Sequence, residues 1–189
     1  MTMPAETSKP ESASILAEVS RAAKHLSIDG TSVSWGGFVE GLFKCAIAGE
    51  EMEIRESLNL IEGRGIEGDR YLLGTGYYSR RPHEDRQVTL IESETLDAIE
   101  RDQGIAFPPQ ETRRNIVTRG VPLAHLVGRN FRIGDTVLFG GRLNVPCKYL
   151  EDLNDRPGIF NALVNRSGLN ARIISGGEIR LGDPIEPVL

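Results

Sequence analysis

From Trp35 onward, apolar and polar residues alternate in short runs that close on turn dipeptides, the signature of half-buried strands. The first such stretch, FVEGLFKCAIAGEEMEIRESLNLIEGRG, predicts a strand pair, with Val39, Phe43, Cys45 and Ile47 on one face of the leading strand. RQVTLI, NFRIGDTVLFG, NARIISGGEIRLGD and PIEPV predict further strands, with Gly-Asp and Gly-Gly at the bends. Three segments break this alternation. SETLDAIERDQG puts Leu96 and Ile99 on one helical face, with Ser93 as N-cap and Gly104 as stop. VPLAHLVG has Pro122 near a first-turn position and Gly128 at its end, and RPGIFNALVNRSG starts at Pro157 and turns Phe160, Leu163 and Val164 inward. Strands joined mainly by tight turns, with helices in the longer connections, predict a mainly β fold with peripheral helices (α+β), arranged as a mostly antiparallel barrel.

The first 34 residues differ in texture. Ile15, Leu16, Val19, Ala22, Ala23 and Leu26 fall at helical spacing, so residues 1–34 read as an N-terminal arm with a short amphipathic helix, and residues 35–189 as one domain. A chain of 189 residues can bury one sizeable core. No apolar run approaches the roughly 18 residues of a membrane span, and the opening residues lack the basic and apolar regions of a secretory signal. A cytoplasmic protein with no membrane partner is the expectation. The two cysteines, Cys45 and Cys147, are too few for a disulfide framework. Cys45 sits in the alternation of the first strand and reads as core. Cys147, in LNVPCKYL, follows a proline where the chain leaves its strand, and it is the thiol free to be a ligand or a nucleophile.

Charge sharpens the picture in one respect. The net charge of −5 disfavours nucleic-acid binding, which needs clustered positive charge. Yet eighteen of the basic residues are Arg and four are Lys. Codon usage explains such a bias, and so does a demand for planar forks that grip phosphate or carboxylate. Two clusters stand out: Arg80, Arg81 and Arg86 in the long loop GTGYYSRRPHEDRQ, and Arg113, Arg114, Asn115 and Arg119 in ETRRNIVTRG. Each alone reads as a solvated rim rather than a binding site. His25, His83 and His125 form no zinc-ligand spacing with cysteine, and neither a Walker pattern nor a dinucleotide fingerprint occurs. GIEGDR, Gly65 to Arg70, reads as a glycine-fixed turn with an internal Asp-Arg ion pair.

Taken in order, GIEGDRY, RQVTLIE, RRNIVTRG, VGRNFRIGDTVLFGG, VPC and RSGLNARIISGGEIRLGD resemble the MOSC domain, named for the C-terminal domain of molybdenum cofactor sulfurases. The resemblance spans roughly Trp35 to Val188 and implies a MOSC-type β-barrel. It further implies that Cys147 coordinates molybdenum or carries sulfur as a persulfide. Arg86, Arg113, Arg114 and Asn115, with Arg166 as an addition, would bind the anionic pterin of molybdenum cofactor. The chemistry is coherent, because thiolate is the form that binds soft metals and guanidinium forks suit phosphate.

The chain also departs from its larger relatives. It has no room for the domain that mobilises sulfur with pyridoxal phosphate, so that cofactor is not expected in this chain alone. Many relatives read Gly-Asp-Arg-His where this chain has Tyr71. Two functions follow from the resemblance: a molybdenum-dependent oxidoreductase acting on N-hydroxylated small substrates, or a sulfur transferase in cofactor sulfuration. A non-catalytic cofactor carrier for partner proteins is the alternative. Either way a cysteine desulfurase or an electron-transfer partner must supply sulfur or electrons, and a homodimer is compatible with the pattern.

Overall fold

The computed structural model describes residues 35–188, together with the backbone of two short strands, β1 (Ser27–Ile28) and β2 (Thr31–Ser32), which pair antiparallel. Contacts divide the chain into the units Met1–Ser34 and Trp35–Leu189. The helix expected over Ile15 to Leu26 lies outside the described residues.

In the larger unit a ring of seven strands closes into a barrel: β3 (Gly37–Lys44), β8 (Ile116–Arg119), β7 (Val88–Glu92), β11 (Leu169–Ser175), β10 (Thr136–Leu143), β9 (Asn130–Ile133) and β13 (Pro184–Pro187), which returns to β3. β4 (Glu53–Arg55) extends β3 outward, and β5 (Ser57–Ile61), β6 (Gly65–Ile66) and β12 (Gly177–Arg180) form a separate three-stranded sheet. The ring is antiparallel except at β7–β8. A parallel pair needs a crossover, and helix α1 (Ser93–Gln103) with a 3-10 turn at Pro109–Thr112 supplies it.

Alternation along the strands sorts side chains into two apolar clusters. Leu90 and Ile116 point into the barrel beside Phe131, Ile133 and Leu138, whereas their neighbours Ile91 and Val117 pack outside under α1 and the later helices. β3 departs from the single face expected of it. A register shift between Val39 and Gly41 inserts one residue, so Val39 and Leu42 face the barrel while Phe43 and Cys45 join the outer cluster. Ile47 falls beyond the strand and is 49% exposed.

The helical segments are shorter than the sequence pattern implies. Glu92 rather than Ser93 takes the N-cap of α1, and the Ser93 hydroxyl donates to the Thr118 carbonyl at 3.1 Å. Gly104 closes that helix in the left-handed region, φ 67°, as expected. VPLAHLVG makes only a 3-10 turn, Leu123–Leu126. Two short helices follow β10: α2 (Lys148–Leu153) and α3 (Ile159–Ala162). Ile159 and Leu163, four apart, form the buried stripe, so Val164 faces out and Phe160 is half-buried. Among the described residues no helix is long and apolar enough to cross a membrane.

Candidate functional site

The end of β10 and the turn Val145-Pro146-Cys147 run beside β11. Around them lie the loop from Arg70 to Arg86, the turn before β8, and α2. Together these segments wall a cavity of about 260 Å³. Its lining holds five arginines (Arg70, Arg86, Arg113, Arg114 and Arg142), Cys147, and no Asp or Glu. All four tyrosines of the chain line it as well. In a protein of net charge −5, this is a strongly electropositive, aromatic-walled pocket.

Arg114 is buried, and none of its partners is acidic. Its Nε donates to the Ser167 carbonyl (3.1 Å), Nη1 to the Thr112 carbonyl (2.9 Å), and Nη2 to Asn144 Oδ1 (2.9 Å) and Ser167 Oγ (2.7 Å). Burial pulls its pKa down from the ordinary guanidinium value to about 10, with the nearby Cys147 opposing and Arg70 reinforcing that shift. A buried cation braced only by neutral acceptors is arranged to receive an anion from outside the chain. Arg142 points the same way, because its Nε is buried without a hydrogen-bond partner and lies 3.9 Å from Asp85 Oδ2.

The remaining arginines are held by the fold. Arg70 Nη1 pairs with Asp69 at 2.9 Å, and Nη2 donates to the Arg113 carbonyl at 2.9 Å. Burial is the largest influence and opposes its charge, but Asp69, Cys45 and Tyr71 together outweigh it, and the guanidinium titrates above its ordinary range. Arg113 has a left-handed backbone, φ 62°, and its side chain reaches the Glu50 carbonyl and Cys45 Sγ. Arg86 donates to the carbonyls of Tyr78 and Arg81 and stands over the Tyr78 ring at 5.2 Å and the Tyr71 ring at 5.9 Å.

Tyr77 stacks on Tyr149 at 3.9 Å and meets Tyr78 edge-on at 4.9 Å, tying the loop to α2. Burial first, and the neighbouring Cys147 sulfur second, push the Tyr78 hydroxyl well above its ordinary range, so it remains a proton donor beside the thiol. Cys147 itself is half-buried at the N-cap of α2, with extended backbone that carries the chain out of the turn. Pro146 fixes its own torsion just before it. Cys45, by contrast, is 1% exposed and packs in the outer cluster.

The structure thus brings Cys147, Arg86, Arg113 and Arg114 to one cavity from three separate stretches of sequence. Asn115 does not line it. Fully buried, it accepts from the Thr89 hydroxyl (2.9 Å) and donates to Asp69 (3.0 Å) and the Phe43 carbonyl (3.2 Å), so it underpins the carboxylate that holds Arg70. Arg166 lies elsewhere, bonded to the Ala162 carbonyl in a groove beside Trp35 and Glu92. Asp69 and Arg70 do form the ion pair read from GIEGDR, and Arg70 in addition faces the pocket. Arg142, Asn144 and Tyr149 escaped the sequence reading, although all three lie within five residues of Cys147.

A closed mixed barrel with an arginine- and tyrosine-lined pocket beside a thiol defines a MOSC-type fold. The chain belongs to the MOSC domain family: residues 68–186 match the MOSC domain, and the family is associated with molybdenum cofactor. Solved structures agree on the fold. The YuaD protein from Bacillus subtilis superposes with a TM-score of 0.68 at 20% identity, over 80% of this chain and 94% of that one. YiiM from Geobacillus stearothermophilus gives 0.58 at 16% identity, over 81% and 73%. YiiM from Escherichia coli gives 0.57 at 20% identity, over 80% and 70%. No curated protein matches the sequence.

Among the described residues, no group of three or more His, Cys, Asp or Glu side chains is placed to hold a metal ion. A metal that arrives with its own ligands and anionic anchor needs from a protein only cations, stacking surfaces and one sulfur. Arg114 without a carboxylate, the unpartnered Arg142 Nε and Cys147 fit that requirement.

Proposed function

We propose that this protein binds molybdenum cofactor in the Cys147 pocket, with Cys147 as its sulfur ligand to the metal. Arg114, Arg113, Arg86 and Arg142 hold the anionic end of the pterin, and the tyrosines bracket its ring system. The observation that carries the reading is a cavity with five arginines, one thiol and no carboxylate. Bound there, the cofactor supplies two-electron redox chemistry at molybdenum. The chain's own residues do the rest: the guanidinium forks neutralise and orient, Tyr78 presents a proton beside the sulfur, and Asn115 and Asp69 keep Arg70 aimed. N-hydroxylated or similarly small compounds are the substrate class, with electrons from a partner protein in the cytoplasm.

A sulfur-carrier role for Cys147 competes with this reading, and the half-buried position of the thiol favours it to the extent that a donor can reach it. Purification from a cofactor-producing host decides among these outcomes. Molybdenum and pterin should co-purify near one per chain, with a molybdenum–cysteine sulfur distance in X-ray absorption that Cys147→Ser abolishes while pterin stays. Persulfide on Cys147 without metal would favour the carrier. Absence of pterin, metal and persulfide alike would refute cofactor binding.

A further inference from the structure

A second cavity, of about 390 Å³, adjoins the Cys147 pocket and shares Tyr71, Tyr78 and Arg86 with it. These three residues form a partition. Arg86 is pinned in it: its Nη1 donates to the carbonyls of Tyr78 and Arg81, and its guanidinium stands against both tyrosine rings. The far wall carries Arg64, His83 and Glu84.

The charge balance of this chamber is positive. Glu84 is engaged by Arg172 at 2.9 Å, which removes it as a counter-ion for the chamber. Neither Arg64 nor Arg86 has a carboxylate within ion-pair distance among the described residues, whereas Arg55, Arg101, Arg119, Arg156 and Arg180 all do. His83 Nδ1 accepts the Asp85 N–H at 3.2 Å and lies 3.4 Å from Asp85 Oδ2, so in the neutral ring the proton sits on Nε2, a donor with no protein acceptor among the described residues. Two unneutralised forks and an imidazole donor around aromatic faces select a small planar anion over a neutral or cationic molecule.

We propose that this chamber is a second ligand site that takes a small carboxylate, gripped by Arg64 and Arg86 against the Tyr71 and Tyr78 rings. Its place beside the cofactor pocket makes it the substrate side of the partition, an assignment that rests on the proposed function; the carboxylate binding itself does not. A substrate held there meets the cofactor pocket across Arg86, and the side chains of Tyr71 and Tyr78 control passage between the two.

The experiment is a calorimetric titration of benzoate into the full-length, cofactor-free protein, with benzamide as the uncharged isostere. Benzoate should bind at least tenfold more tightly than benzamide. Arg64→Ala should weaken it about tenfold, as expected for losing one charge-assisted pair. Arg114→Met, which alters only the neighbouring pocket, should leave benzoate affinity within twofold. Equal affinity for benzoate and benzamide, an Arg64→Ala protein that binds like wild type, or loss of binding in Arg114→Met would each overturn the proposal. Benzoate binding at Arg64 in a protein that never acquires pterin would sink the cofactor reading and leave this one standing.

Discussion

Arg114→Met removes four hydrogen bonds and one buried positive charge in a single step. The four bonds, at about 1 kcal/mol each, hold the ligand-free fold by about 4 kcal/mol. Burial acts in the opposite direction. A fall in pKa from the ordinary guanidinium value to about 10, at about 1.4 kcal/mol per tenfold change in proton affinity, corresponds to about 3 kcal/mol of unfavourable free energy in the charged, ligand-free protein. The sign follows from proton affinity: the folded state binds this proton less tightly than the unfolded chain. The penalty is therefore present everywhere below about pH 10 and is relieved only as pH rises through it.

The two contributions nearly cancel. Arg114→Met should lose about 1 kcal/mol, a fall in Tm of about 3 °C for a domain of this size. Anion binding has no such compensation, because the ligand loses a charge-assisted pair of about 2 kcal/mol, or about 30-fold in affinity. Thermal unfolding by circular dichroism, paired with titration of inorganic phosphate, reads both quantities on one preparation. A Tm loss above 10 °C with unchanged phosphate affinity would refute the reasoning and make Arg114 a structural brace.

Three further expectations can be checked with purified protein. One thiol, Cys147, should react with Ellman's reagent in the native state and Cys45 only on unfolding, and Cys147→Ser should cost under about 1 kcal/mol. Gly168→Ala should cost more than about 3 kcal/mol in a denaturant titration, because its Cβ would stand 1.9 Å from the Leu90 carbonyl at φ +88°, while Gly63→Ala, at φ +65° with open space around it, should cost about 1 kcal/mol. Burial raises the pKa of Glu92, so its stabilising form is the protonated one; Glu92→Gln, which keeps an acceptor for the Leu123 N–H, should raise Tm at pH 7 and lose that advantage as pH falls through the raised value, with none left below the ordinary carboxyl value of 4.5.

The barrel was legible wherever alternation ran for four residues or more, as in β7, β10 and β11. β8 was not. In ETRRNIVTRG the apolar pair Ile116-Val117 is flanked by arginines and is buried on both faces as a central strand, so no period of two could show. The bulge in β3 was equally hidden, since an inserted residue leaves the sequence of FVEGLF unchanged while exchanging which side chains face inward. At the site, the thiol after proline and the Arg-Arg pairs were visible as types. Their convergence was not, because it depends on the closure of β10 against β11 and on a loop that begins seventy-seven residues before Cys147, at Arg70.

The arginine excess itself is resolved by asking what each guanidinium touches. Arg101, Arg156, Arg119, Arg180 and Arg55 each pair with a carboxylate on the surface, where a lysine would serve nearly as well and where the pair is worth little. Arg114, Arg86 and Arg113 instead spend their donors on carbonyls, amide oxygen, hydroxyl or sulfur. A carbonyl orients a guanidinium without cancelling its charge, so the fork is fixed in direction while its field remains available to the cavity. Lysine could not do this, since a single ammonium has no second edge to offer once the first is engaged. The bias toward arginine therefore has two sources within one chain: an interchangeable one on the surface, and a geometric one around Cys147 that only the fold reveals.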